Sequence, residues 1–307
     1  MDVFTDPRCL RHDVPLGFPE QPSRLTSILA GLRAAGRALH EPGAHPEARA
    51  LVERVHSAAY VNRFHAAVER GDGLFDSADN PVVASTRDAA WGAVDATLHA
   101  TDRALAGTAA FAAVRPPGHH AEKQLAMGFC WFNNAAAAAE RLRAQGLQRV
   151  AIFDFDVHHG NGTQHLFEER ADVFYASTHQ YPFYPGTGAA AERGRGDGLG
   201  ATLNVPLPAG CDDGEYAAAI EGTILPALRA FAPDALVVSA GFDAWQNDPL
   251  GGMRVTADGF SQWGRWVGAF ARETCGGRLV ALLEGGYDVP SLPRLVEVFL
   301  GGVEGAL

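Results

Sequence analysis

An α/β fold, with a mostly parallel sheet covered by helices on both faces, follows from three features of the sequence. Short runs rich in β-branched and aromatic residues alternate with helix-periodic segments along most of the chain. Five of those runs lead directly into ionisable or aromatic groups, as strands of an open parallel sheet do at their ligand-binding edge. With 307 residues, 47% of them hydrophobic and 20% charged, the chain can build the large core that such a sheet needs.

The elements follow in order. Leu25, Ile28, Leu29 and Leu32 recur at i, i+3, i+4 and i+7, which predicts a helix over 23–35 with Ser23 as its cap and Gly36 as its stop. A second helical pattern covers 86–106. The run Phe111–Val114 reads as a strand and passes into Arg115-Pro116-Pro117-Gly118-His119-His120. An alanine-rich helix is expected over 133–145, ended by Gly146. Val150–Phe153 reads as a buried strand that delivers Asp154, Asp156, His158, His159 and Asn161. Val173–Ser177 leads to His179, Tyr181 and Tyr184, and Gly186 to Gly200 reads as a long loop. Helical patterns at 214–231, 257–274 and 291–300 flank two more strands. These are Ala235–Ser239, followed by Gly241-Phe242-Asp243, and Leu279–Leu283, followed by Glu284-Gly285-Gly286-Tyr287-Asp288. No repeat, low-complexity tract or linker interrupts the alternation, so residues 1–307 are expected to form a single domain.

Composition narrows the function. A formal charge of −11 argues against sequence-independent nucleic-acid binding and suits a cationic substrate. The four cysteines, Cys9, Cys130, Cys211 and Cys275, are widely spaced and form no CxxC pair, as expected of reduced thiols rather than a disulfide framework. No secretory signal and no apolar run of membrane-spanning length is evident, so the expected location is cytoplasmic and no membrane partner is expected.

The segment Asp154 to Gln164 carries the most chemistry. Two carboxylates and two imidazoles leave one strand end together, and both are donors for a divalent metal such as zinc. Burying so many ionisable groups without a cation or a proton-transfer role would be costly. Asp243, considered alone, is an ordinary turn residue.

Six segments in order resemble the zinc-dependent histone deacetylase family. They are Arg115-Pro116-Pro117-Gly118-His119-His120-Ala121, Gly128-Phe129-Cys130-Trp131-Phe132-Asn133-Asn134, the Asp154–Thr163 run, Tyr184-Pro185-Gly186-Thr187-Gly188, Gly241-Phe242-Asp243-Ala244 and Glu284-Gly285-Gly286-Tyr287. The resemblance implies an arginase/deacetylase-like fold with a central sheet of roughly eight strands, in keeping with the alternation. It places the zinc ligands on Asp156, His158 and Asp243, a three-ligand set that leaves room for water and substrate. It assigns His120 as general base and then acid, and His119 to charge tuning near the leaving amine. Asp154 then orients His119, Asn161 partners His120, and Tyr287 stabilises the oxyanion. Many relatives carry Asp where Asn161 stands; Asn is typical of the class II-like branch and should leave His120 less basic. Phe129 and Tyr184 match the walls of a narrow acyl-lysine channel, with Gly128 permitting close approach. Tyr184 stands where Phe is more usual. Asp79 matches, loosely, an acid at the channel rim. Asp154, Asp156, His158 and Ser177 match a structural potassium site built largely from backbone oxygens. His12, His40, His45, His65, His99 and His165 match no motif.

The implied reaction is removal of acetyl groups from acetyl-lysine in proteins or peptides. An acetylpolyamine amidohydrolase, acting on a small acetylated amine, is the near alternative. One polyamine-selective branch carries a glutamate seven residues beyond the last ligand aspartate, where this chain has Leu250. A non-catalytic acetyl-lysine reader is disfavoured by the intact proton-handling set, and a two-metal arginase-like hydrolase by the lack of further metal carboxylates. Oligomeric state is not readable from the sequence.

Overall fold

The computed structural model describes residues 1–307. Ten strands form: β1 (Asp2–Phe4), β2 (Leu39–His40), β3 (Leu74–Phe75), β4 (Ser77–Pro81), β5 (Ala110–Ala112), β6 (Val150–Asp154), β7 (Val173–Gln180), β8 (Thr202–Leu207), β9 (Ala235–Ala240) and β10 (Leu279–Leu283). Eight of them make one parallel sheet in the order β2-β1-β5-β10-β9-β6-β7-β8, and β3 and β4 form a separate antiparallel pair. Every residue of β5, β6, β7, β9 and β10 is buried. Continuous apolar runs, rather than alternating ones, are what a sheet covered on both faces requires.

Ten α-helices connect the strands: α1 (Pro22–Ala34), α2 (Ala48–Val55), α3 (Ala58–Arg70), α4 (Thr86–Leu105), α5 (Asn134–Ala144), α6 (Asn161–Phe167), α7 (Asp213–Ala219), α8 (Leu225–Phe231), α9 (Ala257–Cys275) and α10 (Leu292–Ala306). Helices α2, α4 and α5 pack together, as do α1, α9 and α10. Strand β9 is touched by α5 and by α9, which do not pack on one another, so the helices cover opposite faces.

Strand order explains how distant segments meet. The strands that precede His119–His120, Tyr287, Asp243 and Asp154–His158 are β5, β10, β9 and β6, four consecutive neighbours at the sheet centre. At about 4.8 Å per strand, their C-terminal ends lie within about 15 Å of one another.

Several elements differ from expectation. Helix α1 starts on Pro22 with Gln21, not Ser23, at the cap, because proline presets the helical φ and has no N–H to lose. The 214–231 pattern is broken into α7, a π-helical turn over Ile220–Ile224, and α8, with Pro226 unable to donate a ladder hydrogen bond. Strand β5 stops at Ala112, ahead of the donor-less Pro116 and Pro117. Strands β1, β2 and β8 and the β3–β4 pair carried too little periodicity to be predicted.

Candidate active site

Beyond β6 the chain bends over Asp156–His158, held by N–H donation from Asp156 to Asp154 Oδ1 at 3.1 Å and from His158 to Asp156 Oδ1 at 2.9 Å, and this turn brings the Asp156 and His158 side chains together. Asp243 arrives from the end of β9. His158 Nδ1 lies 3.1 Å from Asp156 Oδ1 and 3.1 Å from Asp243 Oδ2, and all three side chains are buried. Backbone donors hold the carboxylates in place: Gly285 N–H reaches Asp156 Oδ2 at 2.7 Å, and Val157 N–H reaches Asp243 Oδ1 at 2.8 Å. A Cβ on Gly241 would strike the Asp156 carboxylate, and one on Gly285 would strike that of Asp243, so both glycines are needed for this approach.

The electrostatics of the cluster call for a cation. Burial, then the charge of Asp156, pushes the Asp243 carboxyl up to about 7. Burial alone would lower His158, but its bonds to Asp156 and Asp243 outweigh it and lift the imidazole to about 10. A proton shared by one imidazole nitrogen and two buried carboxylates marks a position that a divalent cation can fill. One nitrogen and two carboxylate oxygens within 4.8 Å of one another form a donor set suited to zinc. Close by, the backbone carbonyls of Asp156 and His158 accept no hydrogen bond from the protein although both residues are buried. Orphaned oxygens of that kind suit a hard monovalent ion such as potassium. Asp154 and Ser177, paired across β6 and β7, stand beside them.

The two histidines after β5 meet opposite environments. His119 Nδ1 is 3.1 Å from Asp154 Oδ2, which also accepts from the Tyr175 hydroxyl at 3.2 Å. Burial opposes charge on His119, yet Asp156 and Asp154 prevail and raise it to about 10. His120 is pushed well below 6.5 by burial and then by His119 and His158. Its Nδ1 meets the Asn161 carbonyl at 2.7 Å, an atom that only accepts, so the proton sits on Nδ1 and Nε2 keeps its lone pair. A neutral imidazole with a free Nε2 is equipped to take a proton.

Tyr287 follows β10 through Gly286, at φ 114°. Its backbone N–H donates to Asp248 Oδ2 at 2.7 Å, and the Arg24 guanidinium lies 4.7 Å from its ring. Burial holds the phenol well above 10, so the hydroxyl remains a donor, and it has no hydrogen-bond partner within the protein.

A slot leads from the surface to these groups, lined by Asp79, His120, Gly128, Phe129, His158, Phe183, Tyr184, Leu250 and Tyr287. Gly128 and Phe129 both have positive φ, 56° and 69°, a strained turn for a phenylalanine that carries its ring to 6.0 Å from that of Tyr287. A Cβ on Gly128 would collide with the His120 ring. Tyr184 meets His120 edge-on at 5.2 Å, and its hydroxyl donates to Asp79 Oδ2 at 3.1 Å.

Thus Asp156, His158, Asp243, His119, His120, Asp154, Asn161 and Tyr287 converge, and Asp79, Gly128, Phe129, Tyr184 and Leu250 line the approach. Sequence reading missed Phe183, stacked on His158 at 5.2 Å and 18°, and Asp248, which holds Leu250 N, Gly251 N and Tyr287 N together. It also missed the purpose of Glu284, whose carboxylate accepts from Gly118 N at 2.7 Å and Ser239 Oγ at 3.0 Å. Only that glutamate's place in the Glu-Gly-Gly-Tyr run signalled it. A second group, His45, His99 and Asp102, lies outside the slot. His45 is accounted for by hydrogen bonding, since its Nδ1 accepts from Glu47 N and its Nε2 meets Asp102, which Arg141 also binds at 2.7 Å.

Such a sheet edge, bearing a buried N/O donor cluster beside a neutral base at the floor of a narrow slot, suits a metal-assisted hydrolase built on a parallel α/β sheet. The histone deacetylase domain model matches residues 18–303, and the chain belongs to the histone deacetylase family. It is 40% identical over 298 residues to a histone deacetylase-like amidohydrolase of Pseudomonas aeruginosa, covering 94% of this chain and 77% of that one. It is 45% identical over 219 residues to an acetylpolyamine amidohydrolase of Burkholderia pseudomallei, covering 70% of this chain and 62% of that protein. The crystal structure of an acetylpolyamine aminohydrolase from Burkholderia pseudomallei superposes with a TM-score of 0.91 at 35% identity, covering 100% of this chain and 99% of that one. The fold is the arginase/deacetylase-like α/β fold, and the protein is a hydrolase acting on amide bonds.

Proposed function

We propose that this protein is a zinc-dependent deacetylase that hydrolyses the amide of N-ε-acetyl-lysine in proteins or peptides. The observation that carries the reading is the convergence of Asp156, His158 and Asp243 at the floor of a slot whose walls present His120 and Tyr287. Asp156, His158 and Asp243 would hold the metal. When bound, zinc supplies Lewis acidity towards the amide carbonyl and the attacking water.

The chain's own residues account for the rest. Phe129, Tyr184 and Phe183 enclose a methylene chain and exclude water from the floor. The Tyr287 hydroxyl donates to the carbonyl oxygen as negative charge develops there. His120 Nε2 takes a proton from the attacking water and returns it to the departing amine. His119, held by Asp154, keeps positive charge beside that nitrogen. A potassium ion at the Asp156 and His158 carbonyls, beside Asp154 and Ser177, would brace the metal-binding turn. Residues 1–307 act as one cytoplasmic domain in this reading, without nucleic-acid or membrane partners.

A second reading is favoured by one observation. The Asp79 carboxylate at the slot mouth could meet the distal ammonium of an acetylated polyamine. Apolar Leu250 at the same rim offers that ammonium nothing. Turnover of an acetyl-lysine peptide against acetylputrescine decides: the proposal expects the peptide to be preferred, and a hundredfold preference for the diamine (about 2.7 kcal/mol) would reverse it.

A further inference from the structure

Behind His120 and Asn161 runs a hydrogen-bonded chain that the reaction above leaves unused. Asn161 Nδ2 donates to Glu122 Oε1 at 2.6 Å and lies 3.4 Å from Met127 Sδ. His165 Nδ1 reaches both oxygens of the same carboxylate, at 2.8 and 3.0 Å. The Glu122 backbone is pinned in turn: its N–H donates to Leu125 O at 2.9 Å, and its carbonyl meets His56 Nδ1 at 2.8 Å.

A primary amide has two ends of nearly equal shape and opposite function, one accepting and one donating. A carboxylate only accepts, so Glu122 obliges Asn161 to turn its NH2 outward and its carbonyl towards His120. That carbonyl in turn obliges His120 to keep its proton on Nδ1. Were the amide reversed, its NH2 would face Nδ1, the proton would move to Nε2, and the base would have no lone pair towards the slot. Asn161 cannot prevent this reversal by itself, whereas an aspartate, with two accepting oxygens, has no wrong orientation.

We infer that Glu122, braced by His165, is a positioning residue that sets the His120 tautomer through Asn161. This rests on the deacetylase reading of the site. Glu122 itself lines no part of the slot. His165 is raised above its usual value first by its bond to Glu122, and Glu168 and Glu192 add to it. Glu168 is paired with Arg195 at 2.9 Å, and Glu192 is held by Gln164 and the Gly188 and Ala189 amides, so neither competes for Asn161.

The test compares zinc-loaded wild type, E122A, E122Q, N161D and E122A/N161D for kcat and KM on an acetyl-lysine peptide. Imidazole 15N NMR of the same proteins reads the His120 tautomer without reference to turnover. E122A should lose at least about tenfold in kcat, a fraction of what a general base contributes, with KM nearly unchanged and the NMR signal moved towards the Nε2–H form. E122Q keeps an accepting oxygen but carries an amide that can itself reverse, so it should recover only part of the loss. N161D should be impaired while Glu122 is present, because two carboxylates then face each other, and should be beneficial in the E122A background. E122M replaces E122A if the latter does not fold. Wild-type kcat and tautomer in E122A, or a double variant no better than E122A, would overturn the inference. A wild type with the expected tautomer but no turnover would instead count against the deacetylase reading alone.

Discussion

Replacing Tyr287 with phenylalanine removes one oxygen atom and little else. The ring keeps its contact with Phe129 at 6.0 Å and with the Arg24 guanidinium at 4.7 Å, and the backbone stays tied to Asp248. Since the hydroxyl has no partner within the protein, its loss leaves no unpaired buried group and should change stability by less than about 1 kcal/mol. Metal content should also hold, because the side chain bonds to none of Asp156, His158 or Asp243. The reaction is where the oxygen matters. A donor aimed at a developing oxyanion is worth about 2.7–4 kcal/mol, or roughly 100- to 1,000-fold in kcat, with KM little altered. Steady-state kinetics, elemental analysis and a thermal melt on one preparation measure all three quantities. A kcat loss below about threefold would remove Tyr287 from the proposed chemistry.

Three further outcomes follow from the geometry. Glu20 is 1% exposed and is held by Arg115 at 2.7 and 2.8 Å and by Arg24 at 3.1 Å; although burial opposes ionisation, these cations lower its carboxyl from 4.5 to about 2. That fall corresponds to about 3 kcal/mol of stability, fully present above pH 4.5 and lost as the pH drops towards 2. Glu20→Gln should therefore cost about 3 kcal/mol in urea denaturation, equally at pH 5.5 and 8, and a loss below about 1 kcal/mol would contradict the assignment. His120 must be neutral to accept a proton and lies well below 6.5, so kcat/KM should be level above pH 6.5 and fall only below it; an acid limb centred above 6.5 would exclude His120 as the base. Leu250→Glu places a carboxylate at the rim beside Asp79 and should raise the ratio of acetylputrescine to acetyl-lysine peptide turnover by about tenfold, measured by competition; an unchanged ratio would show that Leu250 does not face the distal end of the substrate.

Much of this was legible in the sequence because the site lies on the ends of buried strands. The runs at Val150, Ala235 and Leu279 announce themselves through apolar continuity, and each empties directly into its polar residues. Asp243 illustrates the limit. Alone it resembles any turn aspartate, and only the adjacency of β9 to β6 brings it to His158. The outlying strands were invisible for a physical reason: β1 and the edge strand β2 have three and two residues, too few to show a period, and the other edge, β8, is half-exposed, with Asn204 and Pro206 diluting its pattern. His165 shows a different gap. The pattern of its own seven-residue helix would leave it a surface histidine, yet the fold sets it on Glu122, which is more than forty positions earlier in the chain and carries no apolar signature.

One metal ion, held by Asp156, His158 and Asp243, is proposed to be required for amide hydrolysis in this slot. The direct test of that requirement is turnover of an acetyl-lysine peptide before chelation, after chelation and after stepwise return of zinc, with bound metal counted at each step. Activity should vanish with the metal and return in proportion to it, reaching its limit at one ion per Asp156–His158–Asp243 site, with D243N failing to recover. Full activity in the metal-free protein, or full recovery in D243N, would contradict that requirement.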